Sequence, residues 1–190
     1  MLLAIVYHNV VSIHRNVPIS VNIFSFYIII LATTTIIIAT TAAPLPVPPL
    51  HEETHHDDAV VAAAPGDATR VLRAMETFGA RYPMFAIGPV KGLIVDDVVR
   101  RKRPTSVLEV GSFLGYSAVR IGSQLPKGAA MVCVEASDEF AATARRIVAH
   151  AGLGSVVDFV VGRAEDVDLG GLAGRFRGGA ADLVFLDHCK

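Results

Sequence analysis

Charge is missing from one end of this chain. No Lys, Arg, Asp or Glu occurs between Asn16 and Leu50, and Arg15 is the only one before Glu52. Such a stretch is not a soluble surface, which depends on solvated ionic side chains. Cysteine is also scarce. Cys133 and Cys189 are the only two and neither belongs to a CxxC pair, which excludes a disulfide framework. Basic clusters are few. Arg100 to Arg103 reads as a solvated helix end, and the net charge is only −1, so nothing argues for a nucleic-acid partner.

What the uncharged end does contain is apolar length. Val17 to Ala43 carries Ile23, Phe24, Phe26 to Leu31 and Ile36 to Ile38, enough to cross a hydrocarbon core that needs roughly 20 residues. A membrane-inserting segment is therefore expected over residues 1–43. Arg15 before the run and acids after it favour a cytoplasmic N-terminus, so the expected location is a membrane, through a single-pass signal anchor. Small residues Thr40 to Ala43 leave a cleaved signal peptide open, with a luminal or secreted product. Unrelated apolar sequence joined to a soluble domain is a third possibility. Residues 44–66, rich first in Ala and Pro and then in acids, read as a linker.

Order resumes at Asp67, a helix N-cap ahead of Val71, Leu72, Met75 and Phe78 on one face, with Gly79 as its stop. A second helix is predicted from Val90 to Arg101, burying Leu93, Ile94 and Val98 and ended by Pro104. From Ser106 the pattern changes to short apolar runs separated by helical stretches, which is how βα units build a parallel sheet. Strands are predicted at Val107–Val110, Ala130–Glu135, Val156–Val161 and Asp182–Leu186. A helix over Asp138–His150 is capped by Ser137. The fold class is α/β, a Rossmann-like doubly wound parallel sheet of which residues 67–190 supply the first four strands. A sheet ending at Asp182–Leu186 would leave an apolar edge that needs a partner.

The chemistry gathers where strands end. Glu109-Val-Gly111-Ser-Phe-Leu-Gly115-Tyr-Ser117 lies at the first strand-to-helix turn, where glycines allow a sharp bend and close approach to a ligand. Its GxxxG spacing differs from the GxGxxG of dinucleotide folds, and a tight structural turn is the plainer alternative. Glu135 ends the second strand, where a carboxylate can accept from both hydroxyls of a ribose, as an adenosyl or nicotinamide cofactor would require. Alone it would read as an exposed strand-end acid. Leu186-Asp187-His188-Cys189-Lys190 then places an acid and a lysine at the end of the fourth strand.

In this order and spacing, Glu109 to Ser117, Glu135 and the LDHxK run Leu186 to Lys190 resemble the catechol O-methyltransferase family of class I S-adenosylmethionine-dependent methyltransferases. Gly88, Lys91, Gly92 and Asp96 extend the similarity, which covers roughly Gly66 to the C-terminus. The resemblance implies that the backbone near Ile87, with Glu109, Gly111, Ser117, Glu135 and Asp187, surrounds S-adenosylmethionine. Ala164 stands where the family has a cofactor-contacting serine. It implies Asp187 as a first Mg²⁺ ligand, Lys190 as the base that takes the proton of the attacking hydroxyl, and a small diol or catechol as acceptor. Such a cation suits oxygen ligands and acidifies a bound hydroxyl.

The sequence departs from the family in two ways. Cys189 replaces an aromatic between His188 and Lys190, and Pro83, Met84 and Phe85 replace much of an aromatic and Met-containing substrate wall. The family fold also continues through three more strands carrying further metal ligands, so a truncated gene product is expected, with an inactive, membrane-tethered cofactor-binding fragment as the alternative to an enzyme. His51-Glu52-Glu53-Thr54-His55 matches the HExxH zinc pattern. It follows a Pro-rich linker without the long apolar helix such a site needs, and Glu76 is a poor third ligand, so a solvated linker is the expected reading.

Overall fold

The computed structural model describes residues 26–30, 36–40 and 65–187, apart from Pro83 and Arg177. Two strands come from the N-terminal segment, β1 (Phe26–Ile30) and β2 (Ile36–Thr40). Four more follow the predicted runs closely: β3 (Ser106–Val110), β4 (Ala130–Glu135), β5 (Val157–Val161) and β6 (Leu183–Leu186). The sheet order is β1-β2-β6-β3-β4-β5. All neighbours are parallel except β1, which runs antiparallel to β2.

Period-two alternation divides the four C-terminal strands between two cores. Val107, Met131, Cys133, Phe159, Leu183 and Phe185 pack under the main helices, while Leu108, Val110, Val132 and Val134 face a smaller cluster closed by Leu172 and Phe176. The main helices are α1 (Ala68–Gly79), α2 (Gly88–Lys102), α3 (Tyr116–Gly122) and α4 (Asp138–His150). A short helix, α5 (Leu169–Leu172), covers the other face. The predicted caps form. Asp67 accepts from the Arg70 amide at 3.0 Å, and the Ser137 hydroxyl accepts from the Phe140 amide at 3.3 Å. Each satisfies an amide that the first helical turn leaves without an internal partner.

Two expectations need revision. In α2 the buried face carries Gly92, Val95 and Val99, whereas Leu93 is 65% exposed and Ile94 and Val98 are only partly covered. Apolar residues lie all round this helix, so periodicity could not choose its inner face. The choice is made by Gly92, where α2 approaches the side chain of Arg120 so closely that a Cβ would sit 2.4 Å from the guanidinium carbon.

The sheet edge also differs from the sequence expectation. β6 is paired on both sides, with β3 through Val107↔Leu183 to Val110↔Leu186 and with β2 through Ile36↔Leu183 to Ala39↔Leu186. The edge expected to stand open is therefore occupied by residues the sequence reading placed in a membrane span. Ile36 to Thr40 are rich in β-branched side chains, which suit a pleated strand. Among the described residues no helix is long and apolar enough to cross a membrane. The rest of the expected span, the linker up to residue 64 and the HExxH run lie outside them.

At the opposite end of the parallel strands, Asp182 ties β6 to β3. Its carboxylate accepts from the Thr105 amide (2.8 Å) and hydroxyl (2.9 Å) and from the Ser106 amide (3.2 Å). Burial opposes ionisation, but these bonds prevail and hold its pKa below the ordinary carboxylate value.

Candidate functional site

The carboxyl ends of β3, β4 and β6 lie side by side, so Glu109, Glu135 and Asp187 converge. The turn after β3 is built from left-handed backbone. Gly111 has φ +86° and Gly115 φ +85°, and Phe113 between them adopts φ +46°. Only glycine takes the first two without strain, and a non-glycine residue at the third is uncommon. At Gly115 a Cβ would also stand 3.2 Å from that of Ala144, so helix α4 packs directly on the turn.

Glu135 braces this turn from below. One carboxylate oxygen accepts from the Ser112 and Phe113 amides at 3.2 and 2.7 Å, and the other accepts from the Ser137 amide at 3.0 Å. A carboxylate offers about four lone-pair positions, so capacity is left on the oxygen that holds Ser137. The strand-end acid thus has a structural duty that the sequence did not reveal, together with room to accept from a ligand hydroxyl.

Glu109 is wholly buried behind the turn. It accepts from the hydroxyl of Ser117, and the Cys133 thiol lies at 3.0 Å from its other oxygen. Burial pushes its pKa up to about 7. The Ser117 and Cys133 bonds oppose the rise, and the charges of Asp187 and Glu135 add to it. Burial, then Glu109, raise the Cys133 thiol well above its ordinary value, so it is a packed strand residue and no nucleophile. Asp187 reaches about 6 because burial outweighs the attraction of Lys91.

A pocket opens over these groups. Met84, Phe85 and Ala86, between α1 and α2, form one wall, Gly111 to Leu114 with Tyr116 and Ser117 form the opposite side, and Asp187 closes the end. Phe85 meets Phe113 edge-on at 6.1 Å, and Phe113 meets Phe140 in the same manner at 4.8 Å. Ser112 also lines the pocket. Its hydroxyl is buried and has no hydrogen-bond partner in the protein. A buried hydroxyl without a partner costs free energy, so this atom is suited to a polar ligand group.

Of the residues singled out from sequence, Gly111, Ser117 and Asp187 line the pocket, with Glu109 and Glu135 directly behind them. Ile87 is buried at the start of α2 and belongs to the main core. Ala164 packs partly buried against the smaller cluster and is not part of the pocket lining. His188, Cys189 and Lys190 lie outside the described residues. Glu76, weighed as a metal ligand, instead accepts from the Tyr116 hydroxyl at 2.6 Å. Ser112 and Phe113 were missed. Their position between the two turn glycines was the available signal.

The donor set suits an adenosyl cofactor: left-handed glycines that admit a close ligand, a hydroxyl lacking a partner, and a strand-end carboxylate with a free lone pair. Among the described residues no three His, Cys, Asp or Glu side chains could hold a metal ion.

Comparison with known proteins gives concordant matches. The O-methyltransferase family profile covers residues 67–190. Catechol O-methyltransferase of Mus musculus is 37% identical over 129 residues, 67% of this chain and 48% of that protein. Transmembrane O-methyltransferase of Homo sapiens is 36% identical over 128 residues, 66% of this chain and 44% of that protein. The chain thus spans about half the length of the curated relatives it matches. Among solved structures, the O-methyltransferase from Bacillus cereus in complex with SAH aligns with TM-score 0.53 and 25% identity, covering 72% of this chain and 62% of that one. TomG from Streptomyces achromogenes, an O-methyltransferase involved in tomaymycin synthesis and solved with SAM, aligns with TM-score 0.51 and 28% identity, covering 69% and 53%.

Proposed function

The chain belongs to the O-methyltransferase family, and on that footing we propose that it transfers the methyl group of S-adenosylmethionine to a hydroxyl of a catechol-type small molecule. The observation that carries the reading is the glycine turn braced by Glu135, with the unpartnered Ser112 hydroxyl facing the pocket.

S-adenosylmethionine, when bound, supplies an electrophilic methyl group on a sulfonium. The chain's own part is to bind and orient. Glu135 accepts from the ribose hydroxyls, Ser112 Oγ gains the partner it lacks, and the open backbone at Gly111 lets the ligand approach. Glu135 and Asp187 create a negative field at the strand ends, which adds to the rise in the Glu109 pKa. A cationic ligand relieves that repulsion. With its pKa near 6, Asp187 is mainly ionised at neutral pH and can accept from an acceptor hydroxyl beside Lys91. Lys190, next along the chain end, is the proposed base for the hydroxyl proton. Magnesium would need further ligands beside Asp187, and among the described residues no three His, Cys, Asp or Glu side chains could hold a metal ion. Met84 and Phe85 present an apolar wall to an aromatic acceptor.

The test is transfer of a labelled methyl from S-adenosylmethionine to catechol by the full chain, with and without Mg²⁺. Labelled product is expected, and Lys190→Ala should lower its formation while leaving cofactor affinity intact. Cofactor binding without transfer would leave a binding protein in place of an enzyme. Equal transfer by the Lys190→Ala chain would remove the lysine from the mechanism.

Membrane attachment is proposed on separate grounds, the uncharged stretch from Asn16 to Leu50 and the similarity to the human transmembrane O-methyltransferase. Backbone paired to β6 cannot at the same time lie in a bilayer. Alkaline carbonate extraction of membranes from cells making the full chain distinguishes the two: retention in the pellet is expected of an anchor, and release would favour the sheet-paired arrangement.

A further inference from the structure

Away from the strand ends, a charged group sits where three helices meet. Arg120 on α3 has a side chain only 10% exposed, an expensive place for a guanidinium unless its donors are met. Its Nε and one terminal nitrogen hold Asp96 of α2 as a two-point pair, at 2.9 and 2.7 Å. The other terminal nitrogen donates to the Tyr116 hydroxyl at 2.8 Å and lies 3.8 Å from Glu76 of α1. Tyr116 in turn donates to Glu76, and Gln124 donates to Asp96 at 2.7 Å. The bonds to Asp96 and Tyr116 overcome burial and hold the arginine pKa above its ordinary value. Gly92 leaves the space that the guanidinium fills.

The connection to the pocket is geometric. The segment joining α1 to α2 carries the Met84, Phe85 and Ala86 wall, and α3 begins with Tyr116 and Ser117 on the opposite side. Arg120 binds one carboxylate from each helix flanking that segment and, through Tyr116, touches a pocket residue directly. Lysine could not replace it, because one ammonium cannot present the planar fork that meets Asp96 and Tyr116 together.

We propose that Arg120 is a positioning residue that fixes the distance between the Met84–Ala86 wall and the glycine turn, and so the affinity of the pocket. The proposal rests on the cofactor reading for its ligand, while its structural half can be measured without one.

The experiment compares the full chain with its Arg120→Lys and Asp96→Asn variants by hydrogen exchange and by calorimetric titration with S-adenosylmethionine. Asp96→Asn keeps the arginine and guards against a lysine variant that fails to fold. The amides of residues 81, 82 and 84–87 are expected to exchange faster in both variants while those of β3 and β4 stay protected, and cofactor affinity should fall about 10-fold, since small misplacements in a site are costly. A merely structural role would lower thermal stability and leave both the local exchange and the affinity of the folded protein unchanged, and that result would overturn the proposal. If the wild-type chain binds no cofactor yet the exchange difference persists, the cofactor reading falls and the positioning of the wall stands.

Discussion

Replacing Glu135 by alanine is expected to weaken S-adenosylmethionine binding by about 100-fold, the scale of one to two hydrogen bonds to a charged group at about 1.5–3 kcal/mol each. Two losses combine. The ribose would lose its acceptor, and the Ser112, Phe113 and Ser137 amides would lose theirs. The turn is then free to leave the left-handed geometry seen at Phe113, so part of the effect should appear as disorder in the unliganded protein. Glu135→Gln keeps one acceptor oxygen and should fall between wild type and alanine. The check is calorimetric titration of the three proteins, with amide exchange at residues 111–117. An alanine variant that binds as tightly as wild type would mean that Glu135 is a strut for the turn and nothing more.

Glu109 leads to the second large effect, on stability and pH. Its pKa is about 7 in the folded chain against an ordinary 4.5. Between those values the folded state keeps a proton that the unfolded state has released, so raising the pH costs stability. The favourable contribution is complete below about pH 4.5 and is lost as pH climbs through 7. A shift of this size corresponds to about 3 kcal/mol. Glutamine has no proton to lose and can still bond to Ser117 and Cys133. Glu109→Gln should therefore match wild type near pH 4.5 and exceed it by about 3 kcal/mol at pH 8, measured by urea denaturation of both proteins at each pH. A stability difference independent of pH would show that Glu109 is not held protonated by burial.

Much of this arrangement was legible in the sequence because the relevant signals are local. Asp67 and Ser137 precede apolar helical patterns and cap them. β4 and α4 occupy the predicted residues, and β3, β5 and β6 differ by one residue at the start. Buried parallel strands are nearly continuous apolar runs, and few other elements look like them. The site was legible as a set of strand-end residues, since ligands in such sheets bind at the carboxyl edge.

What escaped depends on partners distant in the chain. The inner face of α2 is chosen by Arg120, which lies outside that helix, and no period within the helix encodes it. An arginine inside the apolar run of α3 gives no hint that Glu76 and Asp96 will meet it. Ile36 to Thr40 was placed in the membrane span, because an apolar run does not by its pattern distinguish a span from a buried strand. The β-branched composition was the one clue favouring the strand. Ser112 is marked in the sequence only by its place between the two glycines, and the closed turn is what reveals a hydroxyl without a partner.

On this account the carboxyl ends of β3, β4 and β6 form a site for an adenosyl cofactor. Titration of the full, folded chain with S-adenosylmethionine in a calorimeter tests it most directly. Saturable binding of one ligand per chain is the expected result, with S-adenosylhomocysteine competing for the same site. The absence of binding by a chain shown to be folded by its circular dichroism and cooperative unfolding would contradict the claim.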